Sequence, residues 1–312
     1  MQTSKNLDKI EVVFLFANYY SGATLLAFFL NNHNKLVCNG ETFPYHYSET
    51  DLYKCSCDKK IKNCSFYNYA ADQFHLSDPY RIEQQYFSIL PNFKSNIFFN
   101  KFIWTLRLPY FLRKTLLERV PSLNKEIQLF LNLHRDFIKK ACQYNNAEIY
   151  IDNTKSIQRY ELFVNNFDKN IKVINLVRDG RAFFHSYKKN NPNTLQTSKF
   201  IAKKWQNYLN KISRLQLHNP AIQVLNVRYE DLCENPAATI YGICDFLSIE
   251  YDENIFKVQQ YEHHILGNKM RFGFDWSLKK NTNTAWQYEL TESEIALCNT
   301  LQNNGLKKFS YI

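Results

Sequence analysis

With 312 residues, 45% of them hydrophobic, the chain can bury a sizeable core as one large α/β domain or two small ones. Lys and Arg outnumber Asp and Glu by 39 to 29, and the net charge of +10 predisposes the surface to anionic partners without choosing among nucleotides, nucleic acids, sulfated polymers and lipid head groups. Residues 1–8 are polar and the apolar run after them is interrupted at Asn18, so neither a signal peptide nor a membrane span is expected; the eight cysteines then read as reduced thiols of a cytoplasmic protein.

Val12 to Phe16 is a continuous β-branched and aromatic run, short enough for a strand and too apolar for a strand with one wet face. Ala17 to Ala23 is the loop after it. Gly22 permits backbone geometry that other residues resist, and Thr24 with Leu25 opens a helix whose first-turn amides point back over the strand end. Unpaired amides and the helix dipole act together on an anion held there. Lys35 to Cys38 reads as a second short strand. In the loop after it, Asn39-Gly40-Glu41-Thr42, Glu41 faces either a pocket at the sheet edge or solvent. Cys55, Cys57 and Cys64 cluster in a Lys-rich, hairpin-like segment from Tyr53 to Tyr69. Their C-x-C-x6-C spacing lacks the paired C-x2-C of common zinc sites, and His75 is the nearest fourth ligand, so packed thiols without a metal are expected.

From Pro79 to Asn145 the pattern turns helical. Leu123, Ile127, Phe130, His134, Phe137 and Ala141 recur at three and four residues as on one helix face, and His134 on that stripe reads as a packed core residue. The apolar stretch at residues 96–112 reads as core or as the wall of an acceptor pocket. The α/β alternation then resumes with a strand at Glu148 to Ile151, the loop Asp152-Asn153-Thr154-Lys155-Ser156, and a helix at Ile157 to Asn166 that Ser156 can cap. A strand at Lys172 to Val177 leads through Arg178-Asp179-Gly180-Arg181 to a helix ending near Lys189. Thr197 to His218 is a long helix, and Ile222 to Val227 a strand ending in Arg228-Tyr229-Glu230-Asp231. Pro236 suits the first turn of a helix running to Leu247. These β-to-helix units with short connections predict a three-layer α/β sandwich around a central parallel sheet, with ligands at the carboxyl ends of the strands. No repeat, low-complexity segment or Pro/Gly/Ser-rich linker divides the chain, so residues 1–312 are expected to form a single domain with a mostly helical insertion near 75–145.

Two phosphate chemistries are disfavoured by the opening loop. A Walker loop needs an initial glycine and a lysine that Tyr19 to Thr24 do not supply, and the three spaced glycines of a dinucleotide fingerprint are absent. A second anion-reading position lies downstream, where Arg178 at a strand end and Ser186 on the following helix offer a guanidinium fork and a hydroxyl to one phosphate. The alternative for Arg178 is a structural salt bridge to Asp179 or Glu161.

An ordered set of motifs resembles the sulfotransferases that use 3′-phosphoadenosine 5′-phosphosulfate (PAPS), in their bacterial type. Tyr20-Ser21-Gly22-Ala23-Thr24-Leu25-Leu26 is similar to the family's 5′-phosphosulfate loop, [RK]-S-G-[TS]-[TS]-L-L, and VINLVRDGRAFFHS at Val173 to Ser186 is close to its 3′-phosphate motif. IDNTKS at Ile151 to Ser156 resembles D-S-S-K-S, and Tyr229-Glu230-Asp231-Leu232 with Asn235-Pro236 resembles Y-E-D-L-x-x-x-P. HILGNKMR at His264 to Arg271 resembles H-x-x-x-G-N-x-x-R, and the C-S-C cluster with Cys64-Ser65-Phe66 is similar to a C-x-C-G…C-P-F-W segment. The resemblance runs in order from residue 11 to about residue 290.

The resemblance implies a P-loop-like sulfotransferase fold and transfer of a sulfuryl group from PAPS to a hydroxyl or amine, with release of PAP. It implies that Tyr20, Ser21, Gly22, Ala23, Thr24 and Leu25 surround the 5′-phosphosulfate and that Arg178 and Ser186 bind the 3′-phosphate. It places Tyr229 by the adenine or ribose, Arg271 as a second cation at the 3′-phosphate, and Lys155 by the sulfuryl group, with Glu41 as the base. In-line displacement at sulfur requires a base, charge stabilisation on the leaving phosphate and a dry pocket, and it demands no metal. Tyr20 stands where the family carries Arg or Lys, which makes Lys155 the natural compensating cation. Tyr20 and Ala23 also motivate an alternative, a homologue that binds PAP or PAPS with impaired catalysis. A basic nucleic-acid binder is a further alternative, but the aromatic-basic platform motifs are missing and no nucleic-acid partner is expected. The acceptor is a carbohydrate or small molecule on this reading, with lipid-linked sugar and peptide tyrosine also open.

Overall fold

Alternate burial along the first strand sets the architecture. In β1 (Glu11–Ala17), Val13, Leu15 and Ala17 belong to one apolar cluster, while Val12, Phe14 and Phe16 belong to another on the opposite face. A strand buried on both faces needs cover on both sides, which is the condition of a parallel sheet inside an α/β protein. The computed structural model describes residues 10–41, 54–74, 89–91, 93, 102–104, 110–167, 171–257, 263–264, 268–272 and 284–312.

The described elements follow in chain order. After β1 come α1 (Ala23–Asn31), β2 (Leu36–Val37), α2 (Ser65–Ala70), α3 (Tyr110–Arg119), α4 (Pro121–Asn145) and β3 (Ile149–Asp152). Then come α5 (Ile157–Asn166), β4 (Lys172–Val177), α6 (Gly180–Asn190), α7 (Ser198–His218), β5 (Val224–Arg228), α8 (Tyr229–Glu234) and α9 (Pro236–Leu247). Three short helices close the chain: α10 (Trp286–Glu289), α11 (Glu292–Leu301) and α12 (Asn303–Lys308). Among the described residues, five strands form one parallel sheet in the order β2-β3-β1-β4-β5.

Helices α1 and α9 cover one face with Leu26, Phe29, Leu30, Ile240 and Ile243, and α4, α5 and α7 cover the other with Phe130, Phe137, Tyr160, Phe163 and Ile212. The helix starts follow local chemistry. Ser156 Oγ accepts from Arg159 N–H at 3.2 Å, Thr197 Oγ1 from Phe200 N–H at 3.3 Å and Asn235 Oδ1 from Ala238 N–H at 3.3 Å. Pro121 and Pro236 stand in the first turns of α4 and α9, where a missing N–H costs nothing. Among the described residues no helix is long and apolar enough to cross a membrane.

Two expectations are corrected. The hairpin in the Cys-rich segment is limited to the antiparallel bridge between Lys54 and Lys60; from Ile61 the chain turns helical, through a 3-10 turn into α2, because Phe66, Tyr67 and Ala70 pack into the core against α4. The strands at β3 and β5 begin one and two residues later than predicted. Of the helical segment near 75–145, residues 102–104, α3 and α4 are described, whereas His75 lies outside the described residues.

His134 is fully buried on α4, packed against the Phe130 ring at 4.3 Å, and its Nδ1 lies 3.0 Å from Arg159 Nη2. That guanidinium also donates to the fully buried Asp152 through Nε at 2.7 Å and lies 4.5 Å from the Phe163 ring. Asp152 in turn accepts from Thr154 N–H at 3.0 Å and from the Thr154 hydroxyl. The last residue of β3 is thereby tied to α5 and to the loop between them. Breaking a buried pair leaves an uncompensated charge, so Arg159→Leu should destabilise the protein by about 3–5 kcal/mol in urea unfolding. Replacing both partners with Leu should recover part of that loss; a single-variant cost under about 1 kcal/mol would contradict the role assigned to the pair.

Candidate active site

The five strands among the described residues point their carboxyl ends to the same edge, and the loops carrying Glu41, Lys155, Tyr20, Arg178 and Tyr229 lie there. The helix after β1, α1, lies on one face and the helix after the neighbouring β3, α5, on the other, so the edge above β1 is where a crevice opens in such a sheet. Across this edge the sheet order gives the row Glu41 (after β2), Lys155 (after β3), the loop 18–22 (after β1), Arg178 (after β4) and Tyr229 (after β5).

The loop is held in an unusual backbone shape. Tyr20 has φ 57° and Gly22 φ 84°, and Gly22 is the N-cap of α1 without any side-chain cap, so the first-turn amides of this nine-residue helix face the crevice. The Tyr20 carbonyl accepts from Arg178 Nη1 at 2.7 Å, and the same nitrogen lies 3.1 Å from Ser186 Oγ. The Arg178 guanidinium stands 5.1 Å from the Tyr229 ring centroid. That ring also packs on Gly22: a Cβ there would lie 2.3 Å from it. The structure therefore brings Tyr20, Gly22, Arg178, Ser186 and Tyr229 into one cluster. The Tyr20 side chain turns aside, with its ring edge-on to Tyr187 at 6.0 Å and its hydroxyl accepting from Asn191 Nδ2 at 3.0 Å.

The salt bridges considered for Arg178 belong to other residues. Asp179 pairs with Arg181 at 2.7 Å, and Glu161 pairs with Arg113. Three further residues hold the Arg178 loop: Trp205 Nε1 donates to the Arg178 carbonyl at 2.9 Å, Asp179 N–H donates to Glu230 Oε1 at 3.1 Å, and Tyr311 donates to Glu230 Oε2 at 2.6 Å.

At the other end of the row, Lys155 Nζ and Glu41 Oε1 are 2.5 Å apart. Lys155 takes φ 60°, a conformation that a non-glycine residue keeps where its surroundings demand it. Here the Asp152 turn before it and the Ser156 cap after it set that geometry. Asn18 Nδ2 and Asn153 Oδ1, both buried at the ends of β1 and β3, have no hydrogen-bond partner among the described residues, which leaves polar groups for a ligand or water in the crevice.

Arg271 is buried beneath the Phe272 ring at 4.1 Å, and burial pushes its pKa down against the nearby charges of Cys55, Tyr67 and Glu41. Just before it, Asn268 N–H donates to Thr24 Oγ1 at 3.4 Å, and the buried His264 ring stacks on Phe28 at 4.3 Å, its pKa lowered by burial to about 3. Beside this segment, Cys55, Cys57 and Cys64 meet His263, the four ligand atoms lying within 4.8 Å of one another. The hydrogen bond from Cys55, against the cost of burial, lowers the Cys64 thiol to about 4. The fourth member of this cluster is His263, in place of the His75 expected from proximity in sequence.

The Sulfotransferase family matches the chain over residues 13–253, a span that takes in most of β1, all of the other four strands and the motifs at their ends. The chain belongs to the sulfotransferase family. Among solved structures, the sulfotransferase domain from the Synechococcus PCC 7002 olefin synthase superposes with a TM-score of 0.50 at 17% identity, covering 96% of this chain and 98% of that one. The sulfotransferase domain from the curacin biosynthetic pathway gives a TM-score of 0.46 at 16% identity, covering 95% and 99%. No curated protein sequence matches the chain. The fold is thus the P-loop-like α/β fold of sulfotransferase domains, with its parallel sheet flanked by helices.

Asp179, Trp205, Glu230 and Tyr311 escaped the sequence reading because each acts by holding a loop. The acidic residues stand inside the quoted motifs, but Glu230 meets Asp179 N–H and Tyr311 from 51 and 81 positions away. The loop geometry yields a direct test. Gly22→Ala must bear both a left-handed backbone and a Cβ against Tyr229, and should lower stability by more than about 1 kcal/mol. Gly242→Ala on α9, where a Cβ meets nothing within 4 Å, should raise it by about 0.5–1 kcal/mol. Thermal unfolding of the two variants measures both; a neutral Gly22→Ala would refute the packing described.

Proposed function

We propose that the protein transfers a sulfuryl group from PAPS to a hydroxyl or amine of an acceptor and releases PAP, with residues 1–312 acting as a single domain. The observation that carries this reading is the join between two anion-reading parts: Arg178 holds the Tyr20 carbonyl of the loop and reaches Ser186 with the same nitrogen. A fork fixed in this way can take one phosphate while the amides of Ser21, Gly22, Ala23, Thr24 and Leu25 at the start of α1 take the other. Tyr229, stacked between Gly22 and Arg178, is assigned to the nucleotide.

Chemistry is assigned to the other end of the row. In the free protein Lys155 neutralises Glu41. Bound phosphosulfate competes for the ammonium group and leaves the carboxylate free to accept a proton. The acceptor oxygen or nitrogen then forms its bond to sulfur as the bond from sulfur to the bridging phosphate oxygen breaks. Glu41 takes the acceptor proton, and Lys155 stabilises the charge growing on the leaving phosphate. Tyr20 brings no cation to the loop, so this charge falls to Lys155. Arg271, which feels the charge of Glu41, is assigned to that end of the site.

The side chain of Tyr20, turned onto Tyr187, favours one second reading: binding of PAP or PAPS without turnover. Calorimetric titration with PAP and with AMP should show a marked preference for PAP that Arg178→Ala removes, and equal affinities would sink the 3′-phosphate assignment. Mass spectrometry for a one-sulfate mass shift in cells with and without the protein identifies the acceptor. With that acceptor, Lys155→Met and Glu41→Gln should each lower turnover by on the order of a hundredfold. Intact PAP binding with no sulfated product would favour the second reading.

A further inference from the structure

We propose that Cys55, Cys57, Cys64 and His263 bind one Zn2+ as a structural site that clamps the segment leading to Arg271 onto the Cys-rich turn. Three sulfurs and an imidazole nitrogen are a common ligand set for a closed, four-coordinate zinc site. Zn–S bonds of about 2.3 Å and a Zn–N bond of about 2.0–2.1 Å at tetrahedral angles put sulfurs about 3.8 Å apart and sulfur and nitrogen about 3.5 Å apart. In the structure Cys64 Sγ lies 3.7 Å from Cys55 Sγ and 3.7 Å from Cys57 Sγ. His263 Nδ1 lies 3.5 Å from Cys55 Sγ and 3.2 Å from Cys64 Sγ. These separations far exceed the about 2.05 Å of a disulfide.

The backbone arranges the ligands. Cys55 N–H donates to the Lys59 carbonyl at 2.8 Å and Asp58 N–H to the Cys55 carbonyl at 2.9 Å, with Asp58 at φ 65°, so a tight turn gathers Cys55 and Cys57 on one side. Cys64 is the N-cap residue of α2. The histidine arrives from the far end of the chain, where Ser56 and His264 exchange hydrogen bonds: Ser56 N–H donates to the His264 carbonyl at 2.8 Å, and His264 N–H donates to Ser56 Oγ at 2.9 Å. Its orientation has further support from Phe66, stacked on the imidazole at 5.1 Å, and from Tyr67, whose hydroxyl donates to the His263 carbonyl at 3.0 Å. Such fixing of a ligand by its surroundings is characteristic of metal sites.

The four ligands include none of the residues assigned to sulfuryl transfer, and the site joins the Glu41 loop through its frame, where Asn39 Nδ2 donates to the His263 carbonyl at 3.4 Å. Its consequence is positional, because the clamped segment continues to Asn268, bonded to Thr24 at the start of α1, and to Arg271. The inference does not rest on the proposed activity and is tested without it. Protein expressed with zinc and purified without chelator should contain about one zinc per chain by plasma mass spectrometry. Cys64→Ser and His263→Ala should lose most of it, while Cys244→Ala, on α9 and outside the cluster, keeps it. Cobalt-reconstituted protein should show thiolate-to-metal charge transfer and the ligand-field bands of a tetrahedral ion, a readout that does not depend on how any variant folds. Zinc below about a tenth per chain in the unmodified protein, a disulfide among the three cysteines, or absence of the cobalt bands would overturn the site.

Discussion

Parallel pairing of β1 with both β3 and β4 is the constraint on which the rest depends. Parallel strands put every strand-to-helix connection on one edge, and a central strand buried on both faces needs helices packed on both sides of the sheet. The row from Glu41 to Tyr229 is a direct result: residues from five separate parts of the chain are neighbours because their strands are. Sequence distance has no bearing on it. Glu41 and Lys155 are 114 positions apart and share one ion pair because β2 and β3 are adjacent.

The polar groups divide into those that face the crevice and those that hold it open. Lys155, Glu41, Arg178, Ser186 and Tyr229 at the strand ends are partly accessible. Asp152, Arg159 and Asp179 are buried and paired with one another or with Arg181, where the low dielectric makes a lost partner costly. These inner pairs fix short loops that carry little apolar surface of their own. The left-handed backbone at Lys155, set between the Asp152 turn and the Ser156 cap, shows the outcome: its ammonium group lies beside Glu41.

Much of this was legible beforehand. The apolar runs at β1 and β4 declared buried strands, and Ser156 and Pro236 declared their helix starts, because capping and strand burial are local properties. The motifs at the strand ends pointed to a sulfotransferase, and the family match agrees. The Cys-rich segment was less transparent. Its residues from Ile61 onward are helical for a reason outside the segment, the packing of Phe66 and Tyr67 against α4. Its histidine is separated from Cys64 by 199 positions, and a search by spacing finds His75 first.

By itself, then, the sequence determined the element types outside the Cys-rich segment, the parallel α/β class and the identity of the strand-end residues, since each of these follows from periodicity, local hydrogen-bonding chemistry or a contiguous motif. Only the tertiary structure decided which of those residues meet: Lys155 with Glu41, Arg178 with the Tyr20 carbonyl, and His263 with three cysteines. Strand order and the docking of the late segment make these contacts, and both depend on the burial of surfaces far apart in the chain, which no local pattern records.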